Sequence, residues 1–371
     1  HILMEWIWSC AGVLCLGAAA ALAGGKLSWP AVEARLAGKA GRLSALLVWG
    51  LVLPALTALF KLSQFYSYEL MTDSGVFANM AWRIAYGFPW VSTLYGDMNF
   101  MADHFGLTVI LLAPILRLWE SAAPLALVQG ALVGSSPLAL FLIARRVCAR
   151  EPLAWILTLL AVAHPFFQGI AGGFLDNGPY ALPFFLWAAA CWHWERRFLA
   201  LGLAALLLTT REQIPFIFFG LGAYLVVKAG ERRGRLIGLA LAVLAPAVWL
   251  GENALILRAK EGRPGFFDAW ILFEGLGASR EEVLGNLLRK PWLFIWALVH
   301  PAAKLETPFK ALLWLGLLPL GAGAALLPAL AAWLPHQLAG EGSVYHQLSG
   351  RHAAYVYGPL LWAMTHGAAA V

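Results

Sequence analysis

Residues 122–143 read AAPLALVQGALVGSSPLALFLI and decide the fold of this chain. The stretch carries no charged side chain, and its apolar residues are continuous rather than alternating as in a half-buried strand. Within lipid every backbone polar group must be bonded internally, and a helix of about 20 apolar residues does this while crossing the hydrocarbon layer. The sequence therefore predicts a transmembrane helix here and favours helices over a barrel.

The composition of the whole chain agrees with this stretch. Hydrophobic residues make up 61% of the 371 positions, charged residues make up 12%, and the mean hydropathy is +0.73, whereas soluble chains carry about 25% charged residues. The net charge of +6 comes from short clusters between apolar stretches, which favours membrane anchoring over nucleic-acid binding. We expect an all-α integral membrane protein with a single polytopic domain, residues 1–371.

Further apolar stretches resemble residues 122–143, so we expect about eleven transmembrane helices. Several stretches are shorter than the roughly 20 residues that an untilted helix needs, so their ends would draw on flanking loops. The predicted spans are residues 6–24, 44–62, 122–143, 152–171, 180–194, 198–210, 214–228, 236–250, 291–303, 311–334 and 355–371.

The basic loops predict the orientation of these spans. Lysine and arginine cluster in residues 26–42, 145–150, 196–197 and 228–235, and such clusters mark cytoplasmic loops. If all of them are cytoplasmic, residues 104–119 cannot cross the membrane, and we expect a re-entrant or interfacial helix there. A first large external loop at 64–121 and a second at 251–290 then face the outside.

Polar residues on the external side are the candidates for chemistry. Asp73 follows a predicted span and could act as a general base or bind a cation, or it could cap a helix that begins at Ser74. Asp103 and His104 precede residues 104–119. They could bind a phosphate through a divalent metal or a protonated imidazole, or Asp103 could cap a helix.

Two short turns carry further candidates. Asp176 and Asn177 lie in LDNGPY, which is a turn signal that needs no function. Arg211 and Glu212 lie between short spans, where ionisable groups are costly and face a cavity or each other. Either a functional role or a mutual Arg211–Glu212 pair is therefore expected.

The last external segment gathers imidazole and guanidinium groups before the final span: His336, His346, Arg351 and His352. Such groups suit a phosphate or pyrophosphate, but the histidines lack an HExxH or comparable metal-binding pattern. The sequence has no Walker motif, no GxGxxG pattern that leads into nucleotide binding and no GxSxG elbow. These absences argue against soluble nucleotide or acyl-transfer chemistry.

Four segments of the sequence, which contain most of these candidate residues, together resemble a bacterial membrane-protein family, domain of unknown function 2079 (DUF2079). The resemblance runs from about Gln64 to Leu361 and is most specific in its first segment. The segments are TDSGVFANMAWRIAYGFPWVSTLYGDMNFMADHFGLTVILLAPI, LDNGPYALPFF, TTREQIPF and HQLSGRHAAYVYGPLL.

That family in turn resembles the family C glycosyltransferases (GT-C), multi-spanning enzymes that use polyprenyl-phosphate sugars. The resemblance implies a GT-C-like fold in the bacterial inner membrane, with a periplasmic or extracellular active face. It implies that Asp73 is a catalytic base or metal ligand, with Asp103 and His104 as further candidate ligands of a divalent metal. It implies substrate binding by Asp103, His104, Asp176, Glu212 and His352. Under the hypothesis of sugar transfer, Arg211 and Arg351 would also bind substrate by holding the charge of the donor phosphate.

Sugar transfer from a polyprenyl-phosphate donor at the external face is the leading functional hypothesis. The partners it implies are membrane lipids and the lipid-linked sugar. One alternative is a non-catalytic scaffold or accessory subunit, whose 18 tryptophans would contact lipid, pigment or partner proteins. A second alternative is a transporter with Arg211 and Glu212 in its pathway, although no repeated halves are visible.

Overall fold

The computed structural model describes residues 34, 36, 38–67, 69, 72–95, 98–102, 104–260, 276–277, 279–339, 348 and 350–371. The predicted first span, residues 6–24, lies outside this part of the chain. The described helices are α1 (Lys39–Tyr66), α2 (Thr72–Ala85), α3 (Thr108–Leu118), α4 (Ala123–Cys148), α5 (Glu151–Ala163), α6 (Pro165–Gly172), α7 (Ala181–His193), α8 (Arg197–Leu208), α9 (Ile214–Lys228), α10 (Arg232–Ala259), α11 (Arg280–Arg289), α12 (Pro291–Val299), α13 (Glu306–Trp314), α14 (Leu327–Leu338) and α15 (Ala353–Ala370).

Short elements connect these helices. The strands β1 (Val91–Ser92) and β2 (Met98–Asn99) form an antiparallel pair between α2 and α3. Helix α1 contains a π-helical turn at Val48–Val52. The 3₁₀ turns are Thr93–Tyr95, Phe100–Ala102, Gly178–Tyr180, Ala302–Leu305, Leu318–Leu326 and Gly350–His352.

Four stretches of the described chain are long and apolar enough to cross a membrane: Lys39–Tyr66, Ala123–Cys148, Arg232–Ala259 and Leu318–Leu338. Helices α5 and α6 make a fifth span if they are taken together, although the pair is bent by 58°. Pro165, which follows the break, accounts for the bend because it cannot continue the hydrogen-bond ladder of α5. The expectation of a helical membrane protein is confirmed, whereas the count of about eleven spans stays a prediction.

Several predicted boundaries differ from the helices. Helix α10 extends well beyond the predicted 236–250, because polar residues such as Glu252 continue the helix while they are buried. Helix α12 has nine residues, fewer than a membrane crossing needs. Helix α3 is also too short to cross the membrane on its own and is interrupted at Ala113 and Pro114.

Helices α1 and α4 pack against each other backbone to backbone. Gly130 and Gly134 are four residues apart on α4, and a Cβ atom added to Gly130 would come within 2.6 Å of Ala58 Cα. The Thr57 hydroxyl also donates to the Gly130 carbonyl at 2.7 Å. Such small-residue interfaces let helices associate in lipid, where apolar side chains alone give little net attraction.

The C-terminal helix α15 lies at the centre of the bundle. Its residues from Ala353 to Thr365 are all buried, and it contacts α4, α7 and α14. The Tyr357 hydroxyl donates to the Ala161 carbonyl of α5 at 2.6 Å. Other helices surround α15, and the loops that connect them lie at the two ends of the bundle.

The two ends differ in charge. At one end, which we call the basic end, the Glu151 Oε1 atom lies 2.6 Å from Arg42 Nε and 2.9 Å from Arg145 Nε. Arg145 also lies over the Trp194 ring in the α7–α8 loop. Three of the basic loops that the sequence assigned to one side thus meet at one end. At the opposite end, which we call the polar end, the loops around residues 104, 176 and 211 meet.

Candidate functional site

The polar end is organised around the buried carboxylate of Glu212, in the loop between α8 and α9. His104 Nδ1 lies 3.0 Å from Glu212 Oε1. The Gln213 amide donates to the same oxygen at 3.0 Å, and the Phe105 backbone N–H donates to Oε2 at 3.1 Å. Because both oxygens accept hydrogen bonds, the cost of burying the charge is offset.

His104 decides the ionisation of Glu212. Burial by itself would raise the pKa of the Glu212 carboxyl, but the charge and hydrogen bond of His104, together with the charge of Arg211, lower that pKa below its ordinary value of 4.5. Glu212 is therefore a carboxylate at neutral pH. A buried anion next to an imidazole is an arrangement that can bind and orient polar substrates.

Arg211 pairs with Asp176 and not with its neighbour in sequence. Arg211 Nη2 donates to Asp176 Oδ1 at 2.9 Å and to Oδ2 at 2.8 Å, and both side chains are buried. The expected Arg211–Glu212 pair is therefore wrong. Consecutive residues of this turn direct their side chains to different loops, so each charge has a partner far away in sequence.

The Thr209 carbonyl fixes the position of α3. It accepts from the backbone N–H groups of Leu107 and Thr108 at 2.8 Å and 3.2 Å and from the Thr108 hydroxyl at 3.1 Å. These N–H groups belong to the start of α3, where they have no partner within the helix. The end of α8 thus holds the segment that carries His104 close to Glu212.

Two polar side chains fix the Asp176 turn. Gln129 of α4 accepts from the Asp176 N–H at 3.1 Å and donates to the Phe174 carbonyl at 2.8 Å. Ser74 of α2 accepts from the Leu175 N–H at 2.8 Å. The first turn of α2, which contains Asp73, therefore adjoins the turn that carries Asp176.

The structure tests the capping alternatives for Asp73 and Asp103. Helix α2 begins at Thr72, so Asp73 lies inside the first turn and not at the expected N-cap. Helix α3 has Leu107 at its N-cap position, so the N-cap expected at Asp103 is wrong. Asp103 itself and the side chain of Asp73 lie outside what the structure describes.

The histidine segment before α15 reaches the same end. The backbone of Arg351 and His352 forms the 3₁₀ turn Gly350–His352, which contacts the Gly178–Tyr180 turn after Asp176. The His336 ring lies 6.3 Å from the His352 ring and stacks on Tyr355 at 6.0 Å. The Arg351 side chain and His346 lie outside the described part. Among the described residues, no three His, Cys, Asp or Glu side chains form a metal-binding group.

Three buried polar residues of the polar end were not expected as part of the site. Lys61 donates to the Gly173 carbonyl beside the Asp176 turn, Gln129 holds that turn, and the buried Glu252 interacts electrostatically with Glu212. Lys61 and Gln129 lie inside predicted spans, and Glu252 lies just past one. A polar residue within or beside an apolar stretch is the sequence signal that could have identified them.

A cavity of about 300 Å³ adjoins the first turn of α2. Its walls come from the end of α1, from α2 and from Leu175, and they are largely apolar. Ser74 and Gly75, the two residues after Asp73, also line it. An apolar space therefore lies between the first turn of α2 and Leu175 of the Asp176 turn.

A family model described as a predicted membrane protein (DUF2079) matches residues 67–371. The chain belongs to this family. The DUF2079 match begins just after α1 and includes every candidate site residue from Asp73 to His352. No curated protein and no solved structure matches the chain.

Proposed function

We propose that this DUF2079 protein is a glycosyltransferase that transfers a sugar from a polyprenyl-phosphate donor to an acceptor at the external membrane face. The observation that carries the proposal is the contact between the apolar cavity and the first turn of α2. A lipid-linked sugar has an apolar chain and a reactive anomeric carbon at the level of the headgroups. It needs an apolar cleft next to a carboxylate and cationic groups. The cavity supports the first requirement, and Asp73 and Arg351 are assigned to the second.

In this proposal Asp73 is the general base. The acceptor hydroxyl attacks the anomeric carbon, the bond from that carbon to the phosphate oxygen breaks, and the acceptor proton passes to Asp73. The products are the glycosylated acceptor and the polyprenyl phosphate. A positioned carboxylate contributes to such a step by removing the proton as the bond forms.

Cationic groups stabilise the leaving phosphate. Arg351 is assigned to bind it directly, since a guanidinium binds phosphate oxygens in bidentate fashion. Arg211 is buried and paired with Asp176, so it contributes positive charge and fixes the turn. Asp103 and His104 are assigned to the acceptor or phosphate site, with Glu212 holding the imidazole. His352 completes this site from the turn before α15.

The proposal includes the finer architecture expected from the sequence. The chain is one polytopic domain with about eleven spans and a GT-C-like fold in the bacterial inner membrane. Helix α3 is re-entrant or interfacial at the external face, which keeps residues 64–121 on that side. The short α3 and the meeting of loops 104, 176 and 211 at one end support this assignment.

A divalent metal is the alternative role for the acidic residues. Asp73, Asp103 and His104 are the candidate ligands, and carboxylate and imidazole groups are suitable donors for such an ion. The described residues alone do not form a metal-binding group. The transfer proposed above assigns no step to a metal.

The experiment is release of polyprenyl phosphate by the full chain in proteoliposomes. A panel of polyprenyl-phosphate sugars with a radiolabelled lipid phosphate would be supplied together with a panel of hydroxyl-bearing acceptors, and the free polyprenyl phosphate would be separated by chromatography. We expect release from at least one donor, and we expect Asp73→Asn to reduce it by at least about a hundredfold, the usual contribution of general-base catalysis.

Glu69→Gln is the matched control, because Glu69 is an exposed carboxylate four positions before Asp73. It should keep the wild-type rate. Wild-type activity in Asp73→Asn would remove Asp73 from the catalytic role. Inactivity with every donor, together with purification in a fixed-stoichiometry complex, would instead identify a non-catalytic scaffold.

A further inference from the structure

A second cavity, of about 270 Å³, lies on the other side of the bundle between α7, α8, α9, α10 and α15. Its walls are almost wholly apolar and include Phe185, Leu207, Phe218 and Trp362. None of its lining residues belongs to the Asp176 or the Glu212 loop. Its size and lining suit part of a hydrocarbon chain.

Helical register places basic side chains at one mouth of this cavity. Tyr224 and Leu225 line it, and Lys228 follows them by four and three residues on α9. Ala200 and Leu201 line it from α8, and Arg197 precedes them by three and four residues. Residues at these spacings share a helix face, so both cations lie on the cavity side of their helices at the basic end.

Contacts between side chains agree with the placement of Arg197. The Arg197 guanidinium lies 6.0 Å from the Trp192 ring centroid, and Trp192 lines the cavity. His193, another lining residue, accepts from Trp362 Nε1 at 3.2 Å and lies within electrostatic range of Arg146. The exposed side chains of Trp192 and Phe198 are typical of residues at the level of lipid headgroups.

The charge around this mouth is strongly positive. In the adjoining loops and helix starts, the acidic residues are Glu195 and Glu231. The basic residues of the α7–α8 and α9–α10 loops and the adjoining helix ends outnumber them: Arg196, Arg197, Lys228, Arg232, Arg233 and Arg235. An apolar chain ending beneath such a mouth would therefore be best matched by a negatively charged headgroup.

We propose that this cavity binds an anionic phospholipid. One acyl chain of the lipid lies between α8 and α9, and the phosphate of its headgroup lies at Arg197 and Lys228. Arg146 adds charge from α4. The cavity buries the acyl chain. Arg197 and Lys228, which we call the rim, select the headgroup by its charge. The site is separate from the proposed sugar-transfer site, because it lies at the basic end of the bundle and uses none of those residues.

Native mass spectrometry of the full chain in detergent tests this proposal. Delipidated protein would be titrated with dioleoyl phosphatidylglycerol, with dioleoyl phosphatidylcholine and with glycerol phosphate. We expect selective retention of phosphatidylglycerol and no retention of glycerol phosphate. Arg197→Gln/Lys228→Gln should weaken phosphatidylglycerol binding by roughly 25-fold, about fivefold for each basic side chain near a headgroup.

Two matched controls separate the site from general attraction. Arg232→Gln/Arg233→Gln removes the same charge from exposed positions at the same end. These residues add only to the general positive charge, so the loss of affinity should be clearly smaller than in Arg197→Gln/Lys228→Gln. Ala204→Phe fills the cavity and should abolish retention of phosphatidylglycerol. Gly202→Phe places the same side chain on an exposed face of α8 with open space around it, so retention should be unchanged.

Equal retention of the two phospholipids would overturn the proposal. So would binding of glycerol phosphate alone, or wild-type affinity in the Arg197→Gln/Lys228→Gln variant. The rim side chains are exposed, so this variant should fold even if Ala204→Phe does not. Equal losses in the rim and control variants would show a diffuse charge effect and also overturn the proposal.

Discussion

His104 and Glu212 are 108 positions apart in the sequence, yet the Nδ1 atom of one lies 3.0 Å from the Oε1 atom of the other. This contact joins the segment before α3 to the turn between α8 and α9. Arg211, the residue before Glu212, pairs with Asp176 of a third loop. Two consecutive residues therefore hold three loops together at the polar end.

The first prediction is strong coupling between His104 and Glu212. Glu212→Ala removes one member of a buried pair and should cost about 3–5 kcal/mol of stability. His104→Ala should cause little further loss of stability in the Glu212→Ala background, because the interaction between the two side chains is already absent there. The measurement is a double-mutant cycle from unfolding in mixed detergent micelles.

The exposed pair Glu306 and Lys310 is the control for that cycle. These residues are four apart on α13 and form a solvent-exposed ion pair, which should show little coupling. Additive effects of His104→Ala and Glu212→Ala would contradict the structural importance of the buried pair.

The second prediction concerns pH. Because the folded pKa of Glu212 is lowered from 4.5, its stabilising contribution is complete above that ordinary value and is lost as the pH falls through the lowered folded value. The thermal midpoint of the wild type should therefore approach that of Glu212→Gln as the pH falls from neutral to below 4.5. A difference between their midpoints that is independent of pH would contradict the assignment.

The third prediction tests the α1–α4 interface. Gly130→Ala places a Cβ atom 2.6 Å from backbone atoms of Thr57 and Ala58, so the helices must separate. We expect a loss of about 1–3 kcal/mol, as for overpacked cores. Gly202→Ala, where no atom lies within 4 Å, should be neutral or slightly stabilising. Equal stability of the two variants would disprove the close approach.

The sequence predicted which loops meet but not which side chains pair. Continuous apolar stretches force intervening polar residues to the helix ends, so His104, Asp176, Arg211 and Glu212 could be assigned to one end. Their pairings could not be predicted, because an adjacent pair in sequence looks closer than partners that folding brings together. The pairing of Arg211 with Asp176 depends on how the α8–α9 turn is oriented.

Hydropathy also did not predict where every helix ends. The predicted span at 236–250 ended where charged residues begin, but α10 continues through Glu252 to Ala259. The helix continues there because the bundle buries Glu252 and Asn253. Hydropathy measures the preference of a segment for lipid, and it does not detect polar residues that are buried against protein.

The last prediction concerns the side of the membrane on which each loop lies. In a chain whose four native cysteines are replaced, Glu69→Cys and Glu120→Cys place single thiols before α2 and after α3. Both positions are exposed. A membrane-impermeant maleimide applied to intact spheroplasts should label both, because α3 is too short to cross the membrane.

Arg233→Cys is the matched position at the basic end, exposed in the first turn of α10. It should react only after the membrane is permeabilised, since basic loops remain in the cytoplasm. Labelling of Glu69→Cys and Glu120→Cys from opposite sides would mean that residues between them cross the membrane. Asp73 would then face the opposite side from the loops after α3, and the proposed site could not form, whereas the expected pattern leaves all its residues on one side.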